Sequence, residues 1–121
     1  MDTTFALNNA FKSLRKQGFI ARQNFTCCQS CAGYELASYV KELNPARQAK
    51  VKGAITYTRQ DGQCRFGHLY IGFGPVGVHG VGDFGLPTEE VGKALVEALT
   101  AQGLQVEWSG SPGERVKVTV G

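Results

Sequence analysis

Two runs of alternating side chains near the middle of the chain indicate its architecture: Ala54-Ile55-Thr56-Tyr57-Thr58 and His68-Leu69-Tyr70-Ile71-Gly72-Phe73. A period of two places successive side chains on opposite faces of a strand. The polar residues around Asp61-Gly62 separate the two runs and favour a turn. The sequence therefore predicts two antiparallel strands that are joined as a hairpin.

The segment before this hairpin predicts two helices around a short strand. Apolar residues recur at helical spacing from residue 3 to 17, and Gly18 ends that helix. Residues 19–25 alternate roughly and are β-compatible, which indicates a strand. A second amphipathic stretch follows and ends at Asn44-Pro45.

The start of the second helix has two candidate caps. Thr26, with Gln29 three residues later, fits a capping box, in which each side chain binds the backbone N–H of the other residue. Ser30 is the alternative cap. Both interpretations place the helix start inside the cysteine-rich segment of the chain.

A third helix and a terminal hairpin complete the predicted order, α-β-α-β-β-α-β-β. The helix follows Pro87 and ends at Gly103, and the hairpin strands are 104–108 and 116–120. This order predicts a single α+β domain spanning residues 1–121, with helices packed on a largely antiparallel sheet. The residues expected in the core are Phe11, Leu14, Leu36, Val40, Ile55, Ile71, Leu95, Leu99, Val106 and Trp108.

Composition and charge restrict the class of protein. The chain has 121 residues, enough for one hydrophobic core, and a formal net charge of +3 without clustered bases, which argues against nucleic-acid binding. No apolar run approaches the roughly 20 residues of a membrane span. The start, Met1-Asp2-Thr3-Thr4-Phe5, lacks the features of an export signal. We therefore expect a cytoplasmic protein without membrane attachment, whose partner is a protein or a small ligand.

The densest chemistry in the chain is the cysteine cluster within Asn24-Phe25-Thr26-Cys27-Cys28-Gln29-Ser30-Cys31. Helix-terminal N–H groups lower the pKa of a thiol, so Cys27 or Cys28 would be the nucleophile and Cys31 the resolving thiol. This hypothesis makes Cys28 and Cys31 a redox pair. The strand that begins near residue 53 lacks the preceding proline of thioredoxin-like folds, which argues against that hypothesis.

The same thiols also fit a metal site. Cys28-x2-Cys31 together with Cys64-x3-His68 would supply three sulfurs and one imidazole, a usual tetrahedral zinc set. Nothing in the spacing shows that the turn bearing Cys64 reaches the second helix. No cofactor is therefore favoured, and zinc is the metal that this set would suit. The structural alternative to both hypotheses is that the thiols pack as small, weakly polar residues beneath the helix start.

A glycine-rich segment offers a second candidate site. Residues 72–77 satisfy G-x-G-x-x-G after a strand, but Glu89 and Glu90 occupy the first turn of the next helix and would compete with a phosphate there. We therefore expect a mobile or tightly turning loop that closes on a partner, rather than a dinucleotide site. Its candidate binding residues are Gly74, Gly77, His79, Gly80 and Gly82.

The chain resembles an uncharacterised bacterial family, one of the domain-of-unknown-function groups. The resemblance runs from Leu14 onward and rests on the core Asn-Phe-x-Cys-Cys-Gln-Ser-Cys, on Arg59-Gln60-Asp61 ahead of residues 69–74, and on residues 91–113. It implies neither a substrate nor a catalytic residue. The chain departs from the family pattern at 32–54 and at 58–62, where relatives have a histidine before the acid and a threonine after it. That departure weakens an acid/base role for Asp61, which is interpreted as a turn residue.

These observations favour a ligand- or protein-binding module over an enzyme. The alternatives are a thiol redox protein that uses Cys28 and Cys31, with Cys27 as a further candidate, and a zinc-thiolate module. No nucleophile elbow, paired metalloprotease histidines or facing carboxylates are present in the sequence to support a hydrolase.

Overall fold

The computed structural model describes residues 3–63 and 67–120. Within these residues the chain forms five helices and seven strands. In chain order they are α1 (Thr3–Gln17), β1 (Ile20–Arg22), α2 (Gln29–Glu42), α3 (Pro45–Gln48), β2 (Ala54–Thr56), α4 (Arg59–Gln63), β3 (His68–Gly74), β4 (Val76–Val78), β5 (Gly82–Phe84), α5 (Thr88–Ala101), β6 (Val106–Glu107) and β7 (Val116–Thr119).

Five of the strands form one mixed sheet in the order β1-β2-β3-β7-β6. Strands β1 and β2 are parallel, and the other neighbours in this sheet are antiparallel. The predicted α+β class and the largely antiparallel sheet are confirmed. The terminal hairpin is also present, as the antiparallel pair β6 and β7.

Strands β2 and β3 pair as predicted, but their connection is a short helix instead of a tight turn. Thr58 Oγ1 accepts a hydrogen bond from the Asp61 N–H at 3.2 Å, and Asp61 Oδ2 accepts one from the Thr58 N–H at 2.9 Å. This reciprocal pattern is a capping box with Asp at its third helical position, and it starts α4. The interpretation of Asp61 as a turn residue was therefore wrong.

The glycine-rich segment is a second, two-stranded sheet and not the loop that we expected. Val76 and Val78 are buried, whereas Gly77 between them is exposed, so β4 has a strand's alternation. It pairs with β5 from Val76↔Phe84 to Val78↔Gly82. The glycine count concealed this alternation, because glycine has no side chain to show which face it occupies.

Helices lie on both faces of the five-stranded sheet. Helices α1 and α5 cover one face, and α2 covers part of the other. Helices α1 and α5 pack with Leu69 and Ile71 in the main core. Helix α2 packs through Leu36 and Val40 against β4 in a smaller cluster. Of the ten predicted core residues, Val106 and Trp108 are half-buried and the other eight are buried.

The described helices are too short or too polar to cross a bilayer: none of those in 3–63 and 67–120 has the length and hydropathy of a membrane span.

Candidate functional site

The segment that carries the cysteines has an unusual backbone. Asn24 and Thr26 have positive φ angles of 51° and 56°. A β-branched residue such as threonine rarely adopts this region, so the surrounding contacts must hold it there. The Phe25 N–H donates to the Tyr57 carbonyl at 2.9 Å, which fastens the segment to the end of β2.

The first turn of α4 provides the second attachment of this segment. The Arg59 N–H donates to the Thr26 carbonyl and the Gln60 N–H donates to the Cys27 carbonyl, both at 3.1 Å. The first N–H groups of a helix have no partner within the helix, so they are available for such bonds. The start of α4 thus binds the backbone that leads into the cysteines.

The three cysteine sulfurs converge at the start of α2. Cys28 is the residue immediately before the helix and Cys31 lies at its third position. Cys27 Sγ is 3.3 Å from Cys31 Sγ and 3.9 Å from Cys28 Sγ, and all three sulfurs lie within 4.8 Å of one another. Cys27 and Cys31 are exposed, Cys28 is half-buried, and all three are free thiols.

The environment separates the acidities of two of these thiols. The backbone N–H of Cys31 is the main cause that lowers the pKa of Cys28, and the side chains of Cys31 and Cys27 lower it further. The pKa of Cys31 is raised to about 11, because hydrogen bonds to the sulfurs of Cys27 and Cys28, and then their negative charge, oppose its ionisation. The neutral thiol of Cys28 itself makes no capping hydrogen bond of good geometry.

Neither cap that the sequence predicted for α2 is formed. The Thr26 hydroxyl donates to the Cys28 carbonyl at 3.0 Å and does not cap a helical N–H. Gln29 Nε2 donates instead to Asp61 Oδ2 at 2.8 Å. Cys28 precedes the helix in place of Ser30. A partner from α4, which the local sequence could not reveal, has replaced the local capping box.

Asp61 connects this site to the rest of the molecule, and the sequence interpretation missed that role. Besides Thr58 and Gln29, its carboxylate binds Arg115, whose Nη1 lies 2.6 Å from Oδ1. Burial raises the pKa of Asp61, but the hydrogen bonds from Thr58, Arg115 and Gln29 outweigh burial and lower it overall. The Thr58-x-x-Asp61 spacing was the signal that could have identified this residue.

A cleft of about 490 Å³ adjoins Gln29 on the open part of the sheet face. Gly33 and Leu36 of α2 form one wall, Gly72 and Gly74 contribute to the floor, and residues 112–115 form the opposite wall.

Gly33 keeps this cleft wide without a structural need for glycine. A Cβ atom built at Gly33 would meet nothing within 4 Å, and its φ is not in the positive region. Glycine inside a helix costs about 1 kcal/mol relative to alanine. Glycine at this position therefore makes α2 less stable than alanine would, and its one visible effect is a wider cleft.

The glycine-segment candidates divide into two groups. Gly74 and Gly77 line the cleft. His79 and Gly80 lie in the exposed turn between β4 and β5, and Gly82 begins β5. Only the first group adjoins the cavity.

The four-residue metal set of the sequence analysis is not assembled by the described residues. Cys64 lies outside them, and His68 is at the start of β3. Its Nδ1 is buried and has no hydrogen-bond partner in the described part of the chain. The group that could hold zinc is Cys27, Cys28 and Cys31, and no described histidine, aspartate or glutamate joins it within 4.8 Å.

Comparison with known proteins identifies a family and no activity. No curated protein matches the chain, and no solved structure matches it. The family described as "Domain of unknown function (DUF6891)" matches residues 4–120, in agreement with the resemblance seen in the cysteine segment. The chain therefore belongs to this family of unknown function.

Proposed function

We propose that this chain is a small binding module that holds a thiolate-binding metal ion through Cys27, Cys28 and Cys31. Zinc is the ion that we propose first. The observation that carries the proposal is the convergence of three free sulfurs within 4.8 Å. Thiolate sulfurs bind Zn²⁺ at about 2.3 Å, so two sulfurs on a tetrahedral ion are about 3.8 Å apart. The separations of 3.3 and 3.9 Å lie on either side of that value.

The electrostatics of the cluster support a cation there. Hydrogen bonds to the sulfurs of Cys27 and Cys28, and then the negative charge of these sulfurs, raise the pKa of Cys31. A divalent ion among the sulfurs would offset that negative charge. The start of α2 also stabilises negative charge through its N–H groups. Three protein ligands leave the fourth position of a tetrahedral zinc for water or a ligand. The proposal places the chain in a reducing compartment such as the cytoplasm, where thiols stay free.

A zinc titration followed by native mass spectrometry tests this function. Chain stripped of metal with chelator and then freed of it should bind one Zn²⁺ and lose that ion when chelator is added again, and Cys27→Ser, Cys28→Ser or Cys31→Ser should each weaken binding at least about tenfold. His68→Ala should leave binding unchanged. A chain that binds no zinc would refute the proposal, whereas a loss in both Cys64→Ser and His68→Ala would restore the four-residue set.

A thiol redox function is the second candidate, and one distance favours it. Cys27 Sγ and Cys31 Sγ are 3.3 Å apart, so a disulfide between them needs only a small movement. Reaction with oxidised glutathione would join these sulfurs and release two molecules of reduced glutathione. Metal-free chain that cycles between dithiol and disulfide, and that binds no zinc, would establish this candidate over the first.

A further inference from the structure

The cleft beside α2 contains an unpaired stretch of strand edge. The Ile20 N–H donates to the Gly53 carbonyl at 2.9 Å, so the odd-numbered residues of β2 bond to β1. The even-numbered residues of β2 therefore face β3, where Thr56 is opposite Gly72. Since alternate residues of a strand direct their N–H and C=O to opposite edges, Phe73 directs its own toward β7.

The ladder between β3 and β7 ends one step before Phe73. The Val120 N–H donates to the Gly67 carbonyl at 2.8 Å, and the ladder continues to the pair Ile71↔Val116. The same register would place Phe73 opposite Glu114. Among the described residues, however, no backbone hydrogen bond joins Phe73 to residues 109–115.

The Glu114 carbonyl, which the register would pair with the Phe73 N–H, instead accepts a hydrogen bond from the Trp108 side chain. Trp108 Nε1 donates to the carbonyls of Glu114 and Ser111, both at 3.1 Å. The indole is in turn held by the Phe73 ring, edge to face, with the ring centroids 5.3 Å apart. The ring of Phe73 thus positions Trp108, and Trp108 holds residues 109–115 away from the main chain of Phe73.

The cleft around this edge has room for another main chain. Gly72 and Gly74, on either side of Phe73, present no side chains to it, and Gly33 leaves the facing wall open. Gln29 donates through Nε2 to Asp61, so its Oε1 remains as an acceptor beside Gly72. One N–H donor and one carbonyl acceptor on the same residue match the peptide group of an extended chain.

We propose that Phe73 is the docking point for an extended peptide segment of a partner protein. The segment pairs its main-chain N–H and C=O with those of Phe73, in the place that Glu114 leaves vacant. Its side chains occupy the cleft beside Gly33. This site is independent of the cysteine sulfurs and needs no metal.

Amide exchange and chemical shifts of the full chain test the proposal, with N-acetyl-leucine N′-methylamide as the probe and chelator present throughout. The Phe73 N–H should exchange freely without the probe, unlike the paired Ile71 N–H. Probe should slow that exchange and shift the Phe73 amide with saturation. The corresponding N′,N′-dimethylamide, which lacks one N–H donor, should bind more weakly.

Two leucine substitutions on α2 separate the cleft from general effects. Gly33→Leu fills the cleft and should weaken probe binding at least about tenfold. Glu35→Leu adds the same side chain at an exposed position of the same helix and should leave binding unchanged. A Phe73 amide that is already protected, a shift that does not saturate, or equal binding by both variants would overturn the proposal.

Discussion

Gln29 Nε2 lies 2.8 Å from Asp61 Oδ2, which ties the first residue of α2 to the third residue of α4 across 32 positions of sequence. The Asp61 side chain is only 10% exposed and also accepts from Thr58 and Arg115. The helix that carries the thiols and the helix that holds their backbone are therefore connected by one carboxylate.

Replacement of this carboxylate by an amide should destabilise the fold. Asp61→Asn keeps the shape but loses the charge that strengthens its hydrogen bonds, so we expect a loss of about 1–3 kcal/mol in the free energy of unfolding. Urea denaturation measures it. Asp83→Asn, at an exposed position of β5, is the matched control and should change stability little. Equal stability of both variants would remove Asp61 from the centre of this network.

Asp61 should also make stability depend on acid. Its folded-state pKa lies below the ordinary value of 3.8. Its stabilising effect is therefore complete above the unfolded-state pKa and is lost as pH falls through the folded-state pKa. Unfolding free energies measured from about pH 6 to about pH 2 should fall less steeply in Asp61→Asn than in the wild type. Parallel curves would contradict the lowered pKa.

The thiols of the metal-free chain should alkylate in a fixed order. Of the two thiols with shifted acidity, Cys28, whose pKa is lowered from 9.0, should react with iodoacetamide before Cys31, whose pKa is about 11. Cys31→Ser should raise the pKa of Cys28 only in part, because the backbone N–H at that position remains. Rates measured against pH give both values. Slow reaction of Cys28 until denaturant is added would instead support the packing role.

Removal of the indole N–H should let the sheet lengthen. Trp108→Phe keeps a ring against Phe73 but frees the carbonyl of Glu114. We expect the Phe73 N–H to become protected from exchange and the peptide probe to bind less well. Stability should change by no more than about 1.5 kcal/mol, since a new backbone bond offsets the lost ones. A Phe73 N–H that stays unprotected would show that another contact holds the ladder open.

Gly33→Ala should stabilise the chain by about 0.5–1 kcal/mol, because the methyl group meets no neighbour and alanine favours the helix. Thermal unfolding measures this gain. Ala37→Gly, a substitution in the opposite sense on the same helix, should destabilise by a similar amount. Destabilisation by Gly33→Ala would mean that glycine is needed there for packing and not for the cleft.

The spacing of apolar residues in the sequence correctly predicted the longer helices and the strands of the main sheet. The strand at Ile71 and the helices around Leu14 and Leu95 have their expected period, with these residues buried. The strand at Ile55 was also predicted, but it is buried on both faces. The short helices α3 and α4 were not predicted, because each begins at a side-chain cap and is too short to show a helical period. Thr58 and Asp61 start α4, and Asn44 starts α3 by accepting from the Arg47 N–H.

The candidate site was predicted in part. The sequence drew attention to Cys27, Cys28 and Cys31, but the partners that organise them come from distant segments. Gln29 looked like half of a local capping box, and its bond to Asp61 depends on tertiary structure. The opening at Phe73 depends on where a ladder ends, and no local pattern in a strand specifies that point.

The three cysteines occupy only five successive positions, from Cys27 to Cys31. An unfolded chain keeps such neighbours close, so its thiolates can also capture zinc. A ligand stabilises a fold only to the extent that the folded state binds it more tightly than the unfolded state does. If zinc binds as proposed, it should therefore raise the melting temperature little, since the backbone at Thr26 arranges ligands that are already near one another.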